Sequence, residues 1–326
     1  MMKTPKPWFM ILLGVVAAGA VEVSPKAMAQ TAPRVEMVGE GTVSSTGDEY
    51  GGSLSLDGKT LYFSRSVPPS YFYAMCVSHL DKNGRWGKPE ILPFSGQWRD
   101  SDPVLSPSGD QMVFVSDRPA AGESESENHF FRIWSSHKTG AGWSEPGLLQ
   151  VPNIPSEDVY FASLANNGNL YFTALVERNL SLDVFRSRLI AGKYQEPEPL
   201  TPFNANGISN IEVFVAPDES YLLLGTFNRP DSLGSSDLYI SYNRNGEWSK
   251  PKDLGPQINS PARDYSPHVS PDGKYLYFGS ERAPEPAKHE GPMTYEEFVR
   301  QTRSVLNGLG NIYRVPMSYV FEVAKP

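Results

Sequence analysis

One cysteine in 326 residues, Cys76, leaves no partner for an intrachain disulfide. Packing and hydrogen bonds must hold the fold, and Cys76, inside the apolar run YFYAMCVSHL, reads as a small buried hydrophobe and not a nucleophile. Histidine is scarce too: the five, at 79, 129, 137, 268 and 289, share no metal-ligand spacing. The chain has no G-x-S-x-G, no H-E-x-x-H, no Gly-rich phosphate loop and no paired C-x-x-C, which argues against nucleophile-elbow hydrolases, zinc proteases and nucleotide-binding designs. Basic residues are outnumbered 29 to 37, for a net charge of −8. That balance repels nucleic acid phosphates and anionic lipid headgroups, so neither is an expected partner.

Long apolar runs are lacking as well, with one exception at the start. Lys3 and Lys6 precede FMILLGVVAAGAV (9–21), and Ala27-Met28-Ala29 then stands before Gln30. This is the pattern of a secretory signal, expected to be removed after Ala29, and the run is short of the roughly 20 residues a spanning helix needs. No cysteine lies at the cut to carry a lipid. The mature chain, 30–326, is expected to be exported, periplasmic or secreted, with no membrane insertion and a charge two units more negative. With 39% hydrophobic and 20% charged residues it has the profile of a globular domain with a large core.

What the chain does have is repetition. One phrase occurs five times: EYGGSLSLDGKTLYF from 49, DSDPVLSPSGDQMVF from 100, DVYFASLANNGNLYF from 158, NIEVFVAPDESYLLL from 210 and DYSPHVSPDGKYLYF from 264. A second phrase alternates with it: GRWGKPEIL (84–92), AGWSEPGLL (141–149), GKYQEPEPL (192–200) and GEWSKPKDL (246–254). Period-2 alternation rich in Val, Leu, Tyr and Phe, broken at Pro and Gly, makes each first phrase a hairpin. Runs such as DVFRSRL and DLYISYN supply a third strand, and the Trp-Pro-Leu phrase opens a fourth. A four-stranded unit repeated about every 50 residues is the mark of a β-propeller blade.

In SPDG, Pro271 suits the second position of a type I turn, Asp272 the third, and Gly273 the left-handed residue of the bulge that follows. Asp272 and Asp57 are therefore expected to turn the chain. Glu219 replaces the glycine in the fourth copy and the third copy is one residue shorter at Asn166-Asn167-Gly168, so those two hairpins should be the most irregular. Five hairpin phrases face only four Trp-Pro-Leu phrases. The spare strand-like PRVEMVG (33–39) sits where a preceding unit's fourth strand would be, which predicts that the N-terminal strand completes the C-terminal blade. Closure removes the exposed edges that would otherwise recruit other chains. The expected fold is all-β: a five-bladed β-propeller of four-stranded antiparallel blades, closed by the N-terminal strand.

The repeat x-S-P-D-G-x-x-L-Y-F-x-S-x-R, best seen at Ser270–Arg282, resembles that of the TolB-like, WD-repeat-like propellers of bacterial envelopes. The resemblance spans residues 33–316 and implies a propeller used as a binding or interaction scaffold. Such propellers usually have six blades, and this chain shows five phrases. Two insertions interrupt the rhythm. PAAGESESENHF (119–130) should be a solvated loop, without the spacing of a Ca²⁺ loop. TYEEFVRQTRSVLNG has Thr294 and Glu297 at capping-box spacing and predicts one short helix over about 294–307, placing Tyr295, Phe298, Val299, Thr302 and Leu306 on a face that packs on the propeller.

The residues that open each hairpin phrase, Glu49, Asp100, Asp158, Asn210 and Asp264, occupy equivalent positions and so should encircle one mouth of the channel. Asp102, Glu212 and His268 follow on the same strands and could line the channel below. Three roles are open for these groups: hydrogen bonds that lock blade to blade, a Ca²⁺ or other hard-cation site in the channel, or catalysis. Propeller glycosidases bring carboxylates from different blades together, with Glu49, Asp100, Asp158 and Glu212 as candidates here and Tyr50, Tyr160 and Tyr265 available to stack on sugar. The near-uniform ring argues for the non-catalytic reading: an exported monomeric scaffold that needs no cofactor and presents a loop face or channel mouth to a protein or small ligand. A carbohydrate-active hydrolase is the alternative.

Overall fold

The computed structural model describes residues 35–325 apart from 69–70, 126–129, 141, 157, 177–180, 205–206 and 285–290. The expected signal segment, 1–29, lies outside the described residues. Five antiparallel sheets form five blades. Their inner strands are Asp48–Leu54, Asp100–Leu105, Val159–Leu164, Ser209–Val215 and Asp264–Val269. Their second strands are Thr60–Val67, Gln111–Ser116, Leu170–Val176, Tyr221–Phe227 and Tyr275–Ser280. Outer strands shrink to two residues, such as Glu90–Ile91 in blade 1. In blade 5 the outer strand is Glu36–Met37 from the other end of the chain, with Glu36 opposite Arg314 and Met37 opposite Tyr313. The closure expected from the spare N-terminal strand is present.

The core explains why the second strands are apolar at both parities. Leu61 and Phe63 pack toward blade 5, whereas Tyr62 packs toward blade 2. The same alternation holds in blade 2, where Met112 and Phe114 meet blade 1 and Val113 meets blade 3. Tyr171, Leu223 and Tyr277 serve as the forward-facing residue in the remaining blades. One apolar cluster thus forms between each neighbouring pair of blades, including blades 5 and 1, and the ring closes through packing as well as through strand pairing. Cys76 is buried in the blade 5–blade 1 cluster, as a small hydrophobe would be.

The hairpin turns follow the sequence with one correction. Ser270 Oγ and the Lys274 N–H both donate to Asp272 Oδ1, and Asp57 is used the same way by Ser55 and Lys59, so these aspartates build turns. The third hairpin is one residue shorter, since the Ala165 N–H closes on Asn169 O while Ser55 closes on Thr60 O. The fourth is regular: Glu219 adopts φ 58°, beside 67° at Gly58 and 70° at Gly273. Its carboxylate accepts hydrogen bonds from Asn167, Asn169 and Tyr171 of blade 3, which offset the cost of the left-handed backbone.

The inserted helix spans Tyr295–Thr302 and carries the expected capping box between Thr294 and Glu297. It ends at Arg303, earlier than expected, and none of its residues is buried; Tyr295 is 76% and Phe298 56% exposed. The expectation that its apolar face packs on the propeller is not met. A second helix, Met317–Val323, was not foreseen; Met317 and Val320, three apart on one face, enter the core between blades 4 and 5.

Candidate functional site

Each inner strand breaks register near its start, between Tyr50 and Ser53, Ser101 and Val104, Val159 and Phe161, Asn210 and Glu212, and Tyr265 and His268. Such a bulge inserts residues without partners and re-aims side chains. In blades 1, 2 and 5 it contains a left-handed residue at the same repeat position: Gly51, Asp102 and Ser266, with φ 76°, 55° and 48°. For Asp102 and Ser266 that conformation is strained, and such strain concentrates at functional sites.

The bulges decide which residues meet the axis. The five residues expected to ring the mouth do not line the axial cavity; their neighbours do. Glu49, Asp100 and Asp264 are fully buried and each is held by an arginine of its own blade. Arg65 Nε lies 2.9 Å from Glu49, Arg118 Nη2 2.6 Å from Asp100 and Arg282 Nη2 2.7 Å from Asp264. Arg118 and Arg282 also donate to Phe94 O and Ile258 O, in the segments that arrive from the preceding blade. Asn210 bonds Phe203 O and Thr226, and Asp158 accepts from the Tyr160 hydroxyl at 2.8 Å.

At the mouth where the inner strands begin lies a cavity of about 190 Å³, the volume of about six bulk waters. Four tyrosines and a phenylalanine form a continuous arc around it. Tyr265 and Tyr50 have ring centroids 5.8 Å apart, Tyr50 and Tyr73 6.4 Å, Tyr73 and Phe131 6.1 Å, and Phe131 and Tyr160 6.4 Å. Asp48, Asp102, Glu212 and Arg263 supply the charged groups of the wall, and Asp48 is held by the Ser66 hydroxyl and the Gly310 N–H. Glu212 is 3% exposed, and its Oε2 has no hydrogen-bond partner; the same is true of buried Asp102 Oδ1, Ser266 Oγ and Arg263 Nε.

The preceding blade positions these groups. Ser64 Oγ accepts from the Asp102 N–H at 2.8 Å, and Thr173 Oγ1 donates to Ile211 O at 2.6 Å, beside Glu212. The equivalent position in blades 4 and 5 is glycine for lack of room. A Cβ on Gly225 would collide with the Glu212 carboxyl, and one on Gly279 would press on Tyr50 and Tyr265 at 3.1 and 3.2 Å. Burial raises the Asp102 carboxyl from 3.8 to about 7, against a hydrogen bond from Ser101 and the charge of Arg263. Burial likewise raises Glu212 from 4.5 to about 8, opposed by Arg263 and reinforced by Asp102.

His268 sits at the opposite mouth, in a cavity of about 290 Å³ rimmed by the hairpin turns. It lies between Phe161 and Phe214, with centroids 5.5 and 6.1 Å away, and burial lowers it to about 4, so the ring is neutral. Among the described residues no three His, Cys, Asp or Glu side chains come together in a way that could hold a metal ion. Sequence reasoning named Asp102, Glu212 and the tyrosines 50, 160 and 265. It missed Asp48, Tyr73, Phe131 and Arg263, although Asp48 and Arg263 immediately precede ring positions and could have been found from that adjacency.

No protein-family model and no curated protein matches the chain. Solved structures resemble it at low identity. A protein of unknown function from Dyadobacter fermentans is 13% identical with a TM-score of 0.47, over 77% of this chain and 79% of that one. A gluconolactonase of Xanthomonas campestris is 10% identical with a TM-score of 0.44, over 72% and 84%. Prolyl oligopeptidase B of Galerina marginata is 12% identical with a TM-score of 0.40, and the match spans 71% of this chain but 31% of that one.

Proposed function

We propose that the chain is an exported, TolB-like propeller that binds a small ligand in the tyrosine-walled mouth and does no chemistry on it. The observation that carries this reading is the pair of carboxyls, Asp102 and Glu212, with unpartnered buried oxygens below an aromatic arc. Buried polar atoms without partners are costly, and a ligand that supplies hydrogen bonds or an opposite charge recovers part of that cost. The remaining polar ring groups are engaged in holding the blades, which separates a structural set of residues from a recognition set. Thermal-shift screening of the mature chain against sugars, sugar acids, amines and amino acids tests the reading. A hit lost in both Glu212→Gln and Tyr50→Ala is expected; hits unaffected by either substitution would refute it.

A hydrolase is the second reading, favoured by one observation: two carboxyls from different blades line one cavity, and burial raises both above the usual carboxylate range. One of the pair would then be the general acid and the other the base or nucleophile. Turnover of glycosides or lactones that disappears in Glu212→Gln would establish it over the binding reading.

A further inference from the structure

The mouth holds carboxyls that lack the guanidinium partners of the buried ring carboxylates. Glu49, Asp100 and Asp264, all buried, each have a guanidinium within 3 Å. Asp102 and Glu212 have no ion-pair partner among the described residues. Arg263, the basic residue of the wall, is 3.6 Å from Glu281 and sits over the Tyr265 ring, 4.0 Å from its centroid. Its charge is shared among Glu281, Glu212 and Asp102, so one guanidinium serves three carboxyls.

A buried carboxylate without an ion-pair partner costs several kcal/mol, so carboxyls that share one guanidinium keep a proton until a further cation arrives. The walls say what kind of cation fits. A hard metal ion needs six or more oxygen ligands, and an aromatic arc offers few. Tyrosine and phenylalanine faces attract organic ammonium groups through the ring quadrupole and tolerate their methyl or methylene surface. The chain itself uses the rim this way, with the Arg99 guanidinium 4.9 Å over Phe131.

We propose that the ligand of this mouth is a small organic monocation, an amine or quaternary ammonium compound, which seats against Tyr50, Tyr73 and Tyr160 and takes the place of a proton on Asp102 or Glu212. The inference rests on the mouth being a ligand site and adds the ligand's charge.

Isothermal titration of the mature chain at pH 7.5 tests it with choline, its uncharged isostere 3,3-dimethyl-1-butanol, and D-glucose. Choline should bind at least about tenfold more tightly than the isostere. Glu212→Gln, which keeps the shape and removes the charge, should reduce choline affinity by about tenfold or more while the far-ultraviolet spectrum and melting profile remain those of a folded propeller. Equal affinity for choline and the isostere would overturn the inference, as would choline binding that survives both Glu212→Gln and Asp102→Asn. Glucose bound through Tyr50 and Glu212 with choline excluded would overturn the cation and leave the mouth as a ligand site. Silence from all three probes would also overturn the cation, and the broader thermal-shift screen would then decide the mouth on its own.

Discussion

Glu212→Gln should change how stability depends on pH, by an amount that follows from the burial of one side chain. Burial lifts the folded-state carboxyl to about 8, from 4.5 in the unfolded chain. Between these values the folded protein holds a proton that the unfolded chain has released, so stability falls as pH rises through the window. The full loss is reached above the folded value. A separation of about 3.5 pH units at 1.36 kcal/mol each gives an upper bound of ~5 kcal/mol, and Arg263 nearby together with relaxation brings the expectation to ~2–4 kcal/mol. Glutamine has no proton to lose and leaves only Asp102 to titrate there. For a domain of this size ~1 kcal/mol moves the melting temperature by roughly 2–4 °C. Melting curves of the two proteins from pH 5 to 9 should therefore diverge, with the variant gaining roughly 5–10 °C on the parent toward pH 9. Parallel curves across the range would refute the claim that Glu212 is buried without an ion-pair partner.

Arg118→Ala strands Asp100 as a buried carboxylate and should cost ~3–5 kcal/mol in urea unfolding; Arg282→Ala should cost nearly as much, while Arg65→Ala, whose side chain is 35% exposed, should cost less. Gly225→Ala pushes a methyl into the space of the Glu212 carboxyl, so ligand binding at the mouth should fall while the secondary structure by circular dichroism is retained. A chain begun at residue 41 lacks the strand that completes blade 5 and also Val38, and it should melt lower than one begun at residue 30 and self-associate in light scattering through the open edge. A Glu219→Ala variant should lose stability through its three hydrogen bonds to blade 3, whereas Glu219→Gly should recover part of the loss because glycine accepts the left-handed backbone without strain.

The blades were legible because turn chemistry and alternation repeat in register: Pro271-Asp272-Gly273 fixes a turn, Leu276-Tyr277-Phe278 fixes a strand buried on both faces, and counting phrases exposed the missing fourth strand. The site was legible only in part. Alternation assigns faces by parity, and the bulges at Gly51-Gly52, Asp102-Pro103 and Ser266-Pro267 break parity where the side chains approach the axis. Asp100 thereby turns to Arg118, and Asp102 reaches the cavity instead. The arginines at 118 and 282 stand 18 residues after their aspartates, a spacing that is meaningful only once the hairpin is folded. The C-terminal helix was hidden by composition, since VPMSYVFEV is rich in β-branched and aromatic residues and reads as strand. Glu219 could not be anticipated as a regular turn residue, because its compensating partners lie in another blade.

Carbon-13 titration of the side-chain carboxyls, with Asp102 and Glu212 assigned through Asn and Gln variants, tests the central claim most directly. Two resonances are expected to titrate near neutrality, with midpoints of about 7 and about 8, and to move to lower pH when a cationic ligand binds. Midpoints below 5 for both residues would mean that the two carboxyls are solvated or paired, and would contradict the account of the mouth.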